Sequence, residues 1–201
     1  MGRTSDARER LLDAGRRLLG ERSYGSIGVA EISSSAGAPK GSFYYFFPSK
    51  QDFAVAVVDE HWTAQHKQWA HILGTSAPVI DRLHRLFEAT AAVQRQALMD
   101  SGAVAGCMFG NLALELSSSE PKVKERLQQI FDAQVRAVET ALGDSNSGLD
   151  VPESELHGLA ISVVANLEGL VLLAKLHDDP STIEMHWQTT ARMLAGFRAA
   201  E

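Results

Sequence analysis

Apolar residues recur every three or four positions through most of this chain, and nowhere does the two-residue alternation of a half-buried strand persist. That periodicity restricts the chain to an all-α fold, and its breaks delimit about nine helices. The spacing predicts helices over 6–22, 29–36, 39–45, 50–73, 78–99, 108–116, 121–142, 152–177 and 181–198. The separators carry turn chemistry: Gly37, Pro48-Ser49, Gly102 and Gly106, Ser117 to Ser119 before Pro121, the run GDSNSG at 143–148, and Asp178-Asp179-Pro180. Thr4, Ser5 and Asp6 are N-cap candidates for the first helix, Gly28 or Ser26 for the second and Ser49 for the fourth, while Pro39 suits the first position of the third.

With 45% hydrophobic and 22% charged residues in 201, the chain has the composition of an ordinary globular protein. Its longest apolar stretch, 156–176, is interrupted by His157, Ser162, Asn166, Glu168 and Lys175, so it reads as a buried helix, and no membrane partner is expected. The opening MGRTSDARER lacks the apolar core of a secretion signal, which points to the cytoplasm. A single cysteine, Cys107, makes no internal disulfide and no multi-cysteine zinc site. The seven histidines are scattered, and neither a phosphate loop nor a nucleophile elbow is present. No catalytic constellation, metal or cofactor is therefore expected, and the chain does not read as an enzyme. Glu115, Glu120, Glu125 and Glu139 read as solvated helix faces beside basic neighbours.

Charge divides the chain unevenly. Residues 1–50 hold eight Lys+Arg against five Asp+Glu, a balance of +3, whereas 51–201 hold eleven against twenty, a balance of −9. A basic head on an acidic body suggests that the head meets phosphate. Within it, the short helices 29–36 and 39–45 around a glycine turn match the helix-turn-helix, whose second helix enters the major groove of DNA. On that helix Phe43 and Phe47, four apart, anchor inward, with Phe46 also expected to pack, and Gly41 and Tyr45 look outward. Gly41 allows close approach of the backbone to DNA, Lys40 and Lys50 bracket the helix with positive charge, and Ser42, Tyr44 and Tyr45 supply hydroxyls for phosphate oxygens. The arginines of the first helix read as a solvated face with a general electrostatic role.

Tyr24, then Val29-Ala30-Glu31-Ile32, then AGAPKGSFYYFFPSKQDF at 36–53, resemble the N-terminal domain of TetR-type (TetR/AcrR) transcriptional regulators over about residues 6–55. The resemblance implies a homodimer paired through its last two helices, a DNA-binding domain at 1–50 and a ligand-binding and dimerisation domain at 51–201. It also implies operator contacts at Lys40, Ser42, Tyr44, Tyr45 and Lys50. Ile27 and Gly28 stand where the family usually places hydroxyl residues, so a cap or phosphate contact is absent there. Tyr45 stands in place of a more usual histidine and Pro39 in place of a common serine.

The run GCMFGNLALELSSSEPKVKERL from Gly106 resembles the electrophile-responsive branch of that family, which includes the repressor of N-ethylmaleimide reductase; the resemblance implies Cys107 as a sensor. At the start of a helix Cys107 meets a dipole that favours the thiolate. Lys175 stabilises that thiolate, condenses with an oxidised sulfur, or instead snorkels into water or pairs with Glu168 or Asp178. The rival within this reading is a non-covalent small-molecule inducer in a pocket lined by Trp62, Phe87, Met108, Phe109, Phe131 and Asn166, residues that equally suit an ordinary core. Leu156, Leu159, Val163, Leu167, Leu170 and Val171, with Met185, Trp187, Met193, Leu194 and Phe197, supply apolar surface for a dimer or for the protomer's own core. The sequence thus predicts a repressor released from double-stranded operator DNA by a small molecule, a reactive electrophile or oxidant acting at Cys107 being one candidate. Two other readings stay open: a helical ligand-binding protein or enzyme that has lost DNA binding, and a nucleoid protein that binds any duplex.

Overall fold

A computed structural model describes residues 2–197, and among these every regular element is helical. The helices are α1 (Gly2–Glu21), α2 (Val29–Ser35), α3 (Lys40–Phe46), α4 (Lys50–Leu73), α5 (Val79–Ser101), α6 (Met108–Leu116), α7 (Pro121–Leu142), α8 (Glu153–His177), α9 (Ser181–Met185) and α10 (Trp187–Ala195), with a 3₁₀ turn at Tyr24–Ser26. The first helix begins at Gly2, so Thr4, Ser5 and Asp6 lie within it and do not precede it. The helix expected over 181–198 is divided into α9 and α10 at His186, whose N–H still reaches the Thr182 carbonyl at 3.3 Å; Arg198 lies outside the described residues.

The chain forms two compact units. One comprises the residues up to Gln65 together with Met108–Ile130; the other comprises His66–Cys107 together with the chain from Phe131. The sequence-expected boundary at 50/51 falls at the start of α4, and the first unit recruits α6 and the beginning of α7 from far along the chain.

The second unit is built on α5 and α8. Along α5, Leu83, Leu86, Phe87, Ala91 and Gln94 recur at helical spacing and are buried; along α8, Leu159, Val163, Leu167, Leu170, Val171 and Ala174 do the same. The apolar residues of α8 expected to serve a dimer are thus mostly consumed by the protomer's own core, as are Trp187 and Leu194 of α10. Trp187 packs against Phe87 at 5.0 Å between ring centroids and stacks on His84 at 5.2 Å. What α8 leaves uncovered is a different set, Ile161, Leu172, Leu173 and Leu176, joined by Met185 and Met193 from the following helices. Among the described residues α8 is the one helix long and apolar enough to cross a membrane, and 44% of that apolar window is buried in the protein.

One charged residue sits inside this core. Arg82, 1% exposed, donates from Nη1 to the Leu73 carbonyl at 2.8 Å and from Nη2 to the Ala141 carbonyl at 3.2 Å, with Asp144 at 3.2 Å as its counter-charge. Leu73 closes α4 and Ala141 lies in the last turn of α7, so one guanidinium satisfies carbonyls at two helix ends where the negative pole of each helix dipole lies. The GDSNSG run is accordingly anchored. Asp144 Oδ1 accepts from Asn146 N at 3.0 Å, Ser147 is buried, and its carbonyl accepts from the N–H of Val79 at the start of α5 at 2.9 Å. Truncating Arg82 leaves carbonyls and a carboxylate without their partner, so Arg82→Ala is expected to lower unfolding free energy by about 3–5 kcal/mol. Urea denaturation at fixed protein concentration measures it.

Candidate nucleic-acid interface

In the first unit, local sequence sets the two short helices at an angle. Gly28, extended at φ −94° and ψ 152°, precedes α2 without a side-chain cap, as expected from the missing hydroxyl. The helix ends at Ala36; Gly37 then takes φ +57°, which a side chain rarely adopts, and the Ala38 and Gly37 amides return to the Ser33 and Ser34 carbonyls at 2.9 and 3.0 Å. Pro39 stands one place before α3 as its N-cap, not inside it, because its ψ of 145° is extended. Ser49 caps α4 as predicted: its hydroxyl accepts from the Asp52 amide at 3.1 Å and donates to the Asp52 carboxylate at 2.7 Å.

Packing then decides which face of α3 looks out. Phe43 and Phe47 are buried, and with Phe53 of α4 they form a ring cluster at centroid separations of 5.0–5.6 Å. This cluster presses on α1 at Gly15, where an added Cβ would lie 2.3 Å from the Phe53 ring, so only glycine fits. Gly15 was legible only as a glycine that a helix interior otherwise disfavours. Phe46, expected to pack, is half-buried.

With Phe43 and Phe47 turned in, Lys40, Gly41, Tyr44 and Tyr45 form one outward strip, Tyr44 at 51% and Tyr45 at 75% exposure. A Cβ at Gly41 would meet nothing within 4 Å, so the strip is open to an approaching surface. Ser42 is half-buried beside it. Lys50 is half-buried: its ammonium donates to the Tyr24 carbonyl and lies 3.9 Å from the centre of the Tyr24 ring, and burial pushes its pKa down, so it braces the fold of the head. The arginines of α1 and its end are engaged locally: Arg8 lies over the Phe47 ring at 5.7 Å, Arg10 meets Asp6 and the Ala36 carbonyl, Arg16 meets Asp13, Arg17 meets Glu21 and Ser35, and Arg22, just after α1, meets Glu31.

The glutamates read as solvated faces divide into two kinds. Glu125 is exposed. Glu115 of α6 accepts the Tyr24 and Gly25 amides at 2.9 and 2.8 Å, and Glu120 accepts the Tyr24 hydroxyl at 3.1 Å and the Gln51 amide at 2.7 Å. Burial, then Glu120, pushes the Tyr24 phenol well above its ordinary range. Lys122 and Arg126 of α7 pair with Asp52 and Asp59 of α4. Nothing in the spacing marks these contacts, because the partners lie 67 to 96 residues apart.

The expected ligand residues fall in both units. In the first, Trp62, Met108 and Phe109 are buried, Phe109 making edge contacts with Trp62 at 6.1 Å and with His61 at 5.2 Å. In the second, Phe87 belongs to the core, Phe131 packs against it, and Asn166 accepts the Thr190 hydroxyl at 2.6 Å. Lys175 is half-buried near the end of α8, and the side chain that hydrogen-bonds Cys107 is Glu168. Burial raises the Glu168 pKa, partly offset by that hydrogen bond. The half-exposed Cys107 ends a segment that Gln94 clamps through both Gly106 backbone groups, at 2.9 and 3.2 Å, and that Asp178 holds at the Val104 amide, at 3.0 Å.

Known proteins share both halves. Residues 11–57 match the family of bacterial regulatory proteins described as the tetR family, and residues 79–190 match the tetracyclin repressor-like C-terminal domain. The transcriptional regulator AcuR of Cereibacter sphaeroides is 30% identical over 92% of this chain and 84% of its own length. The HTH-type transcriptional repressor NemR of Escherichia coli K12 is 30% identical over 66% of this chain and 63% of its own length. The crystal structure of reduced E. coli NemR superposes with a TM-score of 0.77 at 24% identity, over 98% of this chain and all of that one. A TetR regulatory protein from Rhodobacter sphaeroides gives 0.79 at 28% identity, over 92% of this chain and 97% of that one. Proteins of this family bind operator DNA and small-molecule ligands and are typically dimeric. The outward strip of α3 on a buried aromatic cluster, and the two matched domains, place this chain in the TetR family of bacterial transcriptional regulators, DNA-binding proteins and not enzymes.

Proposed function

We propose that the protein is a cytoplasmic homodimeric repressor in which residues 1–50 read an operator half-site and residues 51–201 bind a small-molecule inducer and pair the protomers. The observation that carries this reading is the strip Lys40, Gly41, Tyr44 and Tyr45, turned outward by the burial of Phe43 and Phe47. Lys40, with Ser42 and the two tyrosines, supplies donors for phosphate and base edges, and Gly41 lets the helix backbone approach. Lys50 acts by holding the Tyr24 turn. Two copies of α3 about 34 Å apart would read successive major grooves. The uncovered residues Ile161, Leu172, Leu173 and Leu176 of α8, with Met193 of α10, offer the apolar surface that a second copy would cover, which fits the pairing of last helices that the family resemblance implies.

For the inducer, the surroundings of Cys107 favour a quinone or enone. Addition of its thiol across an activated carbon–carbon double bond forms one S–C bond and returns the thiol proton to the adduct. Glu168, hydrogen-bonded to Cys107 and with a raised pKa, takes and returns that proton. Trp62, Phe87, Met108, Phe109, Phe131 and Asn166 would then act as core residues that transmit or accommodate the change.

Selection of duplexes from a random pool tests the first reading; recovery of no preferred sequence overturns it in favour of a helical protein without operator function, or of a nucleoid protein if all duplexes bind alike. On the selected duplex, Lys40→Ala is expected to weaken binding and reduce the slope of log affinity against log salt by about one. Cys107→Ser is expected to bind the duplex as the parent does while no longer being released by benzoquinone or an enone; equal release of both proteins removes Cys107 from the mechanism. Because the folded state raises the Glu168 pKa, it holds that proton more tightly than the unfolded chain. The associated stability is present below the ordinary glutamate range and is lost as pH rises through the raised value. Thermal unfolding between about pH 5 and about pH 8 should therefore show Glu168→Gln gaining on the parent as pH rises; parallel curves would count against it.

A further inference from the structure

We infer that Glu115 is a positioning residue for operator reading: its carboxylate holds the 3₁₀ turn between α1 and α2 and thereby sets the pose of α2 and α3. The inference rests on the operator-binding reading and adds to it a residue that lies about 70 positions beyond the end of α3 in the chain.

The geometry is that of a clamp with two arms. Glu115 Oε2 and Oε1 take the consecutive amides of Tyr24 and Gly25 at 2.9 and 2.8 Å, so both oxygens of one carboxylate are committed to one peptide turn. These are charge-assisted bonds, the stronger class, and they define orientation as well as position. On the other side of the same residue the Lys50 ammonium holds the Tyr24 carbonyl and lies over its ring. Glu120 takes the Tyr24 hydroxyl and ties it, through Gln51, to the first turn of α4. Tyr24 is therefore gripped at its amide, its carbonyl, its ring and its hydroxyl, although it is only 6% exposed and packing would already hold its ring.

The turn so held leads directly into the helix-turn-helix. Ile27, 2% exposed, closes the turn by bonding back to the Tyr24 carbonyl at 3.3 Å, and Gly28 then starts α2 with no side-chain cap. Locally the entry to α2 is held by exposed contacts, Arg22 reaching the Ser26 carbonyl at 3.0 Å and Glu31, and Glu115 adds a two-armed hold from α6. Because α6 begins at Met108, the residue after Cys107, the clamp is carried by the helix that follows, in the chain, the residue where the inducer is proposed to act.

The sign of the charge change separates this role from simple electrostatics. Removing an acid from a DNA-binding unit lowers repulsion from phosphate and by itself strengthens binding to any duplex. A positioning role predicts the opposite on the preferred sequence. The test measures fluorescence anisotropy of the full-length protein on a duplex that the parent selects from a random pool, and on a scrambled duplex of the same length and salt. Glu115→Ala and Glu115→Gln are compared with Glu125→Gln, which removes an exposed acid from α7 outside the clamp. Both Glu115 variants are expected to lose about tenfold or more on the selected duplex, the size of one or two lost charge-assisted bonds, while binding to the scrambled duplex is unchanged or tighter. Glu125→Gln is expected to show no sequence-dependent loss.

Hydrogen–deuterium exchange provides the second readout and includes the parent alone: the Tyr24 and Gly25 amides are expected to be protected in the parent and to exchange faster in Glu115→Gln, which has one carboxamide oxygen in place of two carboxylate oxygens. Undiminished binding of Glu115→Gln to the selected duplex, an equal loss on both duplexes, or unprotected amides in the parent overturns the inference. Failure of the parent to select any sequence overturns instead the operator reading on which it rests.

Discussion

The burial of Phe43 and Phe47 against Phe53, over a glycine that leaves no room for any other residue, is the contact on which the DNA-facing surface depends. A seven-residue helix is too short to be stable alone, so α3 exists because its aromatic side is taken up by α4 and α1. Once that side is buried, helical geometry leaves Lys40, Gly41, Tyr44 and Tyr45 no direction but outward. Within α1, Asp6, Asp13 and Glu21 pair with Arg10, Arg16 and Arg17, while Lys40 stands exposed at the start of α3.

Polar anchoring supports this apolar scheme in each unit. In the first, carboxylates from α6 and the following loop, and cations from α7, fasten the 3₁₀ turn and the start of α4. In the second, Arg82 closes two helix ends from within the core and Gln94 fixes the backbone ahead of α6. Glu115, Arg82 and Gln94 each meet backbone groups that a helix end or loop would otherwise leave unsatisfied, which is where a buried polar residue returns the most, while Glu120 and Lys122 bind side chains. The same logic makes Glu168 unusual: it is an acid pressed against a thiol, and burial favours its protonated form. The side chain hydrogen-bonded to Cys107 is thus a carboxyl group and not a cation.

Much of the fold was legible in order along the chain. Helix-period spacing located the helices, Gly37 and Ser49 marked a stop and a start that the hydrogen bonds reproduce, and FYYFF at a four-residue interval announced which side of α3 packs. The outward strip was readable because one short helix offers few choices of face. Lys50 and the late helices were less so. The spacing around Lys50 does not announce the Tyr24 carbonyl and ring that it meets, and a helix apolar on several sides does not say which side its own protomer covers.

By itself, then, the sequence determined the helical class, the order and ends of most helices, and the identity of the surface-forming strip, because these follow from periodicity, capping and side-chain type within a few residues. Tertiary structure alone decided that Glu115 and Glu120 grip a turn some 90 residues earlier, that Glu168 and not Lys175 meets Cys107, and that the core claims Leu159 to Val171 while leaving Leu172 and Leu176 outside. Such contacts join positions far apart in the chain, and their selection depends on how whole helices stack, a quantity that no local spacing encodes.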